Sequence, residues 1–125
     1  MHPTTARVAA ALRAAGLETD VREFDETTRT AQQAADTLGV AVGAIVKSLC
    51  FMADGEPAMV LVSGANRADL GKVRQLRLLL DRDLLHYDEL WAAAGTPNSV
   101  FRITPSQLVA VTGGQAGDVA EEVRP

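Results

Sequence analysis

Ile45-Val46-Lys47-Ser48-Leu49-Cys50-Phe51-Met52, then Ala53-Asp54-Gly55-Glu56-Pro57, then Ala58-Met59-Val60-Leu61-Val62 decide how this chain is read. The first and last runs are apolar and rich in β-branched residues, which predicts two strands. The run between them is made of turn formers, so the strands are expected to pair as a hairpin. The second strand is apolar on both faces, as a central strand is. With a period of two, Ile45, Lys47, Leu49 and Phe51 share one face, and Val46, Ser48, Cys50 and Met52 share the other.

Working outward, Thr30-Ala31-Gln32-Gln33 has the spacing of a capping box and opens a helix packed through Ala31, Ala34, Ala35 and Leu38 and ended by Gly39. A first helix is expected from Thr5 to Ala15, with Gly16 as its C-terminal cap. The alternation from Thr19 to Phe24 predicts a short strand. Beyond the hairpin, Ser63-Gly64-Ala65-Asn66 leaves the sheet as a loop, and a helix is expected from Ala68 or Asp69 to near Gln75. Leu76 to Leu80 reads equally as helix end or strand. Glu89–Ala94 and Ser99–Ile103 flank Gly95-Thr96-Pro97-Asn98 as a second hairpin. Thr104-Pro105-Ser106-Gln107 is another capping box, with Pro at the first helical position, and that helix stops at Gly113-Gly114. The polar tail from Gln115 is expected to fray.

The chain has 125 residues, 47% of them hydrophobic but only 4% aromatic, so one domain with an aliphatic core is expected. No apolar run reaches the roughly 20 residues of a membrane helix, and Met1–Thr5 does not open a signal peptide. A single cysteine, Cys50, excludes an internal disulfide and a cysteine-rich zinc site. The expected compartment is the cytoplasm. The net charge of −4 argues against a protein that coats a nucleic-acid backbone, though not against one that touches a single end of a tRNA. Of the 12 basic residues only Lys47 and Lys72 are lysines. An ammonium is compact and tunable by burial where a guanidinium is not.

Lys47 sits among large apolar neighbours, and a lysine is almost never buried without a partner. Two readings stand. In one the strand is an edge and Lys47 reaches out to water. In the other Lys47 lines a pocket and meets an anionic or carbonyl group of a ligand. The run Ser63-Gly64-Ala65-Asn66-Arg67-Ala68-Asp69-Leu70-Gly71-Lys72 lies between a central strand and a helix, where α/β domains bind ligands. Ordinary loop chemistry explains it as well. Cys50 is expected to be a small buried hydrophobe, and His86 a surface or structural residue. His2 and His86 are too isolated for a metal site. There is no nucleophile elbow, phosphate-binding glycine loop or dinucleotide fingerprint, so neither a protein nucleophile nor a cofactor is implied.

Three of these segments, Thr30–Gly39, Ile45–Phe51, and Ser63-Gly64 with Arg67, Asp69, Leu70 and Lys72, resemble in order and spacing the YbaK family of aminoacyl-tRNA deacylases. That family is related to the editing domain inserted in prolyl-tRNA synthetase. The stretch from Leu76 through Asp81, Trp91, Gly95, Phe101 and Thr104-Pro105 to Gly114 is similar to its C-terminal end. The resemblance implies an α/β (α+β) fold with a mixed, barrel-like β-sheet flanked by helices. It implies hydrolysis of a mischarged aminoacyl-tRNA ester, such as Cys or Ala on the proline tRNA, with no metal or cofactor and with help from the substrate's own groups. Lys47 matches the family's prominent lysine. Thr30, Ser48, Ser63, Gly64, Arg67, Asp69 and Lys72 carry over as substrate-binding positions. The implied partners are an aminoacyl-tRNA acceptor end and prolyl-tRNA synthetase.

The chain departs from the family at one place. Members carry a loop of the form Gly-x-x-x-Pro that supplies backbone contacts to the ester, and no such sequence occurs here. The chain runs from Lys72-Val73-Arg74-Gln75 straight into Leu76-Arg77-Leu78-Leu79-Leu80-Asp81, which reads as an internal deletion near Gln75. Lost oxyanion donors cost on the order of 10²–10³ in rate. A shortened sheet also leaves an edge exposed, which favours a homodimer. Two functional readings follow: a deacylase with Lys47 orienting the aminoacyl-ribose, and a non-catalytic remnant that binds a tRNA end, an aminoacyl group or a protein partner.

Overall fold

The computed structural model describes residues 2–17, 20–25, 30–53, 55–68, 78–96, 98–113 and 115–117, with backbone alone at 51, 53, 78, 79 and 115–117. In chain order the elements are α1 (Pro3–Ala14), β1 (Val21–Glu23), α2 (Ala31–Leu38), β2 (Ile45–Ala53), β3 (Glu56–Ser63), β4 (Leu78–Asp81), β5 (Leu90–Ala93), β6 (Ser99–Ile103), α3 (Pro105–Thr112) and β7 (Gln115–Gly117). Short 3-10 turns at Val42–Ala44 and Arg82–His86 enter β2 and follow β4.

Local chemistry sets the boundaries. The Thr30 hydroxyl accepts from the Gln33 N–H at the start of α2, and Gly39 ends the helix in the left-handed conformation at φ 72°. Thr104 and Gln107 form both halves of a capping box on α3. The expected hairpins form: β2 pairs antiparallel with β3 from Val46↔Ser63 to Ala53↔Glu56, and β5 pairs antiparallel with β6 from Leu90↔Ile103 to Ala93↔Val100.

Among the described residues the strands make one mixed, seven-stranded sheet in the order β1-β6-β5-β2-β3-β4-β7. It is open rather than closed, because β1 and β7 end the row at opposite sides. The α+β class holds, while the barrel-like curvature does not extend to closure. One parallel junction, β5 to β2 at Ile45↔Trp91 and Val46↔Ala92, joins the two hairpins, and β4 adds in parallel to β3 at Met59↔Leu78 to Leu61↔Leu80.

Each face of the sheet carries a core. Val46, Leu61, Leu80, Leu90 and Ile103 pack on one face with Leu12 of α1 and Leu108 of α3. Ile45, Trp91 and Val100 pack on the other with Ala34 and Ala35 of α2. Small residues on α2 let it approach the sheet closely. Ile45 and Val46 therefore serve opposite cores, as a period of two requires.

Two expectations need correction. Cys50 is exposed, not buried. Beyond Val46, β2 has no pairing with β5, so Leu49 (43% exposed) and Met52 (65% exposed) also lie open. The tail does not simply fray: Gln115–Gly117 adds β7 in parallel to β4. Its signal is too short and polar for periodicity to detect. Of the helix expected from Ala68 or Asp69 to Gln75, residues 69–75 lie outside the described residues.

Candidate functional site at the parting of two parallel strands

The central feature is the junction of β2 and β5. Both strands run the same way, and their pairing ends at Val46↔Ala92. The next residues, Lys47 and Ala93, flank the point where the strands part. Crevices at the carboxyl ends of parallel strands are where open sheets bind ligands. A cavity of about 160 Å³ lies here, lined by Thr30, Ala31 and Ala34 of the α2 start, Ile45 and Lys47 of β2, and Trp91, Ala93 and Val100 of the facing hairpin, among others. Its walls are mostly apolar. Trp91 is held on its outer side by the Arg22 guanidinium, 4.7 Å from the ring centroid.

Lys47 is the charged residue of this lining. It is half-buried, and its Nζ donates to the Asn66 carbonyl oxygen at 2.6 Å. An ammonium carries three hydrogens, so two remain for a ligand. Both earlier readings of Lys47 contain part of the answer. The residue lines a pocket, and it does so where β2 changes from a central strand to an open edge.

Asn66 is itself clamped. Its Nδ2 donates to Asp81 Oδ2 at 2.8 Å and to Asp83 Oδ2 at 2.7 Å, which uses both amide hydrogens. Asp81 is 1% exposed, and its carboxylate also accepts from the Ser63 N–H at 3.1 Å and the Asp83 N–H at 3.0 Å. A buried carboxylate is tolerated when its oxygens are satisfied in this way. The chain of contacts Lys47–Asn66–Asp81–Ser63 thus fixes the lysine from the end of β3 and β4. Asn66 and Asp81 were not singled out as site residues in the sequence. The contacts cross 15 and 18 residues, and no local spacing announces them.

The other expected positions separate. Thr30 lines the cavity with Lys47, while Ser48 is exposed on β2 immediately beyond it. Ser63 is 1% exposed, and its hydroxyl donates to the Gly43 carbonyl at 2.7 Å, so it braces the loop from within. Gly64 lies where any β-carbon would run into the Val42 carbonyl oxygen and crowd Ala31 and Ile45, and its N–H donates to the Ile45 carbonyl at 2.7 Å. Arg67 is exposed. Asp69 and Lys72 lie outside the described residues. Among the described residues there is no group of three His, Cys, Asp or Glu that could hold a metal, and no helix is long and apolar enough to cross a membrane.

Known proteins resemble this chain in sequence and in fold. A family model described as an aminoacyl-tRNA editing domain matches residues 25–77, which include α2, β2, β3 and Lys47. A solved structure described as a candidate trans-editing enzyme for prolyl tRNA synthetase is 37% identical, with a TM-score of 0.88 over 98% of this chain and 99% of that one. A protein solved as a scaffold for computational epitope grafting is 36% identical, with a TM-score of 0.91 over 98% of this chain and 100% of that one. The uncharacterized protein YwhH of Bacillus subtilis is 29% identical over 125 residues, spanning 73% of this chain and 80% of the relative. An alignment of that length over that share of the chain opens gaps in it, so YwhH carries residues within the shared span that this chain lacks.

Proposed function

Because this chain belongs to the aminoacyl-tRNA editing domain family, we propose that it hydrolyses mischarged aminoacyl-tRNA in trans, with Cys or Ala on the proline tRNA as the substrate class and Lys47 as the residue that positions it. The supporting observation is that Lys47 lines the cavity where β2 and β5 part, with its ammonium anchored and two hydrogens unused. A cavity of about 160 Å³ matches the size that takes up a benzene-sized group, about 150 Å³ in a well-studied engineered case. It suits an amino-acid side chain and leaves the terminal adenosine outside.

In this reading water adds to the ester carbonyl carbon, and the carbon–oxygen bond to the ribose then breaks. The released ribose oxygen takes a proton, leaving free amino acid and intact tRNA. Negative charge grows on the carbonyl oxygen as water adds, and a fixed ammonium nearby lowers that barrier without serving as a nucleophile. Thr30, whose hydroxyl oxygen already accepts from the Gln33 N–H, keeps its own hydrogen to donate at the cavity mouth. A neighbouring ribose hydroxyl or the substrate's thiol assists. The acceptor end of the tRNA and prolyl-tRNA synthetase are the partners this implies.

The missing Gly-x-x-x-Pro sequence favours a second reading, a binding remnant that holds the aminoacyl end without turning it over. Multiple-turnover assays with Cys-tRNA and Ala-tRNA charged on the proline tRNA separate the two. Repeated turnover that depends on Lys47 supports the deacylase. Binding of the charged end with no release of amino acid supports the remnant.

A further inference from the structure

The register of the sheet assigns a direction to every backbone group beside the cavity. The Gly64 N–H donates to the Ile45 carbonyl, so the polar groups of Ile45, Lys47 and Leu49 point toward β3. Those of Val46, Ser48 and Cys50 therefore point the other way, toward β5. On the far side, Arg102 N–H donates to the Asp20 carbonyl and Phe24 N–H to the Asn98 carbonyl, while Ala94 N–H donates to the Ser99 carbonyl. The same alternation then points the groups of Trp91 and Ala93 toward β2. The rung that would follow Val46↔Ala92 joins the Ser48 N–H to the Ala93 carbonyl. Pairing stops before it, both residues are exposed, and the cavity lies at that gap with Ala93 in its wall.

We propose that this unmade rung is where the aminoacyl group seats. The Ser48 N–H donates to the ester carbonyl oxygen, and the Ala93 carbonyl accepts from the α-ammonium. An aminoacyl ester carries that donor and that acceptor three bonds apart, complementary to the open pair. The inference rests on the deacylase reading and adds two backbone contacts to it. The Ser48 N–H supplies an oxyanion donor on the strand itself, in a chain without the family's Gly-x-x-x-Pro loop. The Ala93 carbonyl makes the site selective for a free α-amino group.

Two measurements test it on the full chain. Ser48→Pro removes an N–H that faces an open strand edge, where proline is tolerated. Cys50→Pro makes the same change one rung further along the same edge and outside the site. Ser48→Pro is expected to deacylate Ala-tRNA at least 100-fold more slowly than Cys50→Pro. Equal rates overturn the role of Ser48. If Ser48→Pro does not fold, the wild-type protein still decides the matter through the α-ammonium. Its acceleration of N-acetyl-alanyl-tRNA and lactyl-tRNA hydrolysis, each taken over that ester's own spontaneous rate, is expected to be at least tenfold smaller than for alanyl-tRNA. Equal accelerations of all three overturn the seating. Wild-type turnover of Ala-tRNA unaffected by Ser48→Pro refutes this inference alone, whereas no wild-type turnover of any ester refutes the deacylase reading with it.

Discussion

Lys47 is half-buried because β2 loses its neighbour at that residue: Ile45 and Val46 pair with β5, and Lys47 is the first that does not. The ammonium is compact enough to reach the Asn66 carbonyl from a residue that lines the cavity. A guanidinium is planar and longer, so Lys47→Arg is expected to keep the charge yet recover less than about a tenth of wild-type deacylation. Asp81→Ala removes the acceptor for the Ser63 N–H and for one hydrogen of Asn66, leaving buried donors unpaired. It is expected to lower stability by about 2–4 kcal/mol in urea unfolding and to slow turnover by freeing Asn66. At this scale the sequence was half legible. Parity put Lys47 on the face of Ile45, and a lone lysine among apolar neighbours marked a pocket or an edge. Parity carries no information about what lies across the sheet, so Asn66 and Asp81 stayed hidden until β3 and β4 were placed side by side.

Secondary elements were the most legible level, because caps and turns are written in adjacent residues. Thr30 with Gln33 and Thr104 with Gln107 named two helix starts, and Gly39 and Gly113 two helix ends in the left-handed conformation. Cys50 is exposed for a reason that also lies between elements. An apolar strand is buried only where both neighbours reach it, and β5 is four residues long against nine in β2. Gly64 shows how tightly the loop after β3 is pressed against the entry to β2. Gly64→Ala forces a β-carbon onto the Val42 carbonyl, which is backbone and cannot turn aside. The expected cost is about 1–3 kcal/mol of stability, read as an earlier urea midpoint with an unchanged slope. A midpoint equal to wild type would show that the loop shifts freely.

For the whole molecule, the sheet reads as two hairpin-centred halves joined by a two-rung parallel junction, with the cavity at the open end of that junction. The architecture explains how a chain without the family's glycine-rich loop can still form a pocket. The wall comes from strands that part, and from α2 packed over them through Ala31 and Ala34. The junction is narrow, so trimming its side chains should affect fold and site together. Ile45→Ala is expected to lose about 2–4 kcal/mol and to weaken capture of the aminoacyl end in proportion. Binding unchanged in a destabilised variant would separate the site from the junction. The family resemblance was legible in the sequence from three segments in register, but the openness of the sheet was not. Closure depends on how far the last strands reach, and β1 and β7 are three residues each.

The most direct test of this account is the single-turnover rate of Ala-tRNA hydrolysis on the proline tRNA, measured for the wild-type protein beside Lys47→Ala with both shown to be folded. Hydrolysis well above the spontaneous rate is expected for the wild type, with a fall of about 100-fold or more in the variant. A variant that hydrolyses the ester as fast as the wild type would contradict it, because the cavity at the parting of β2 and β5 would then not be where the chemistry occurs.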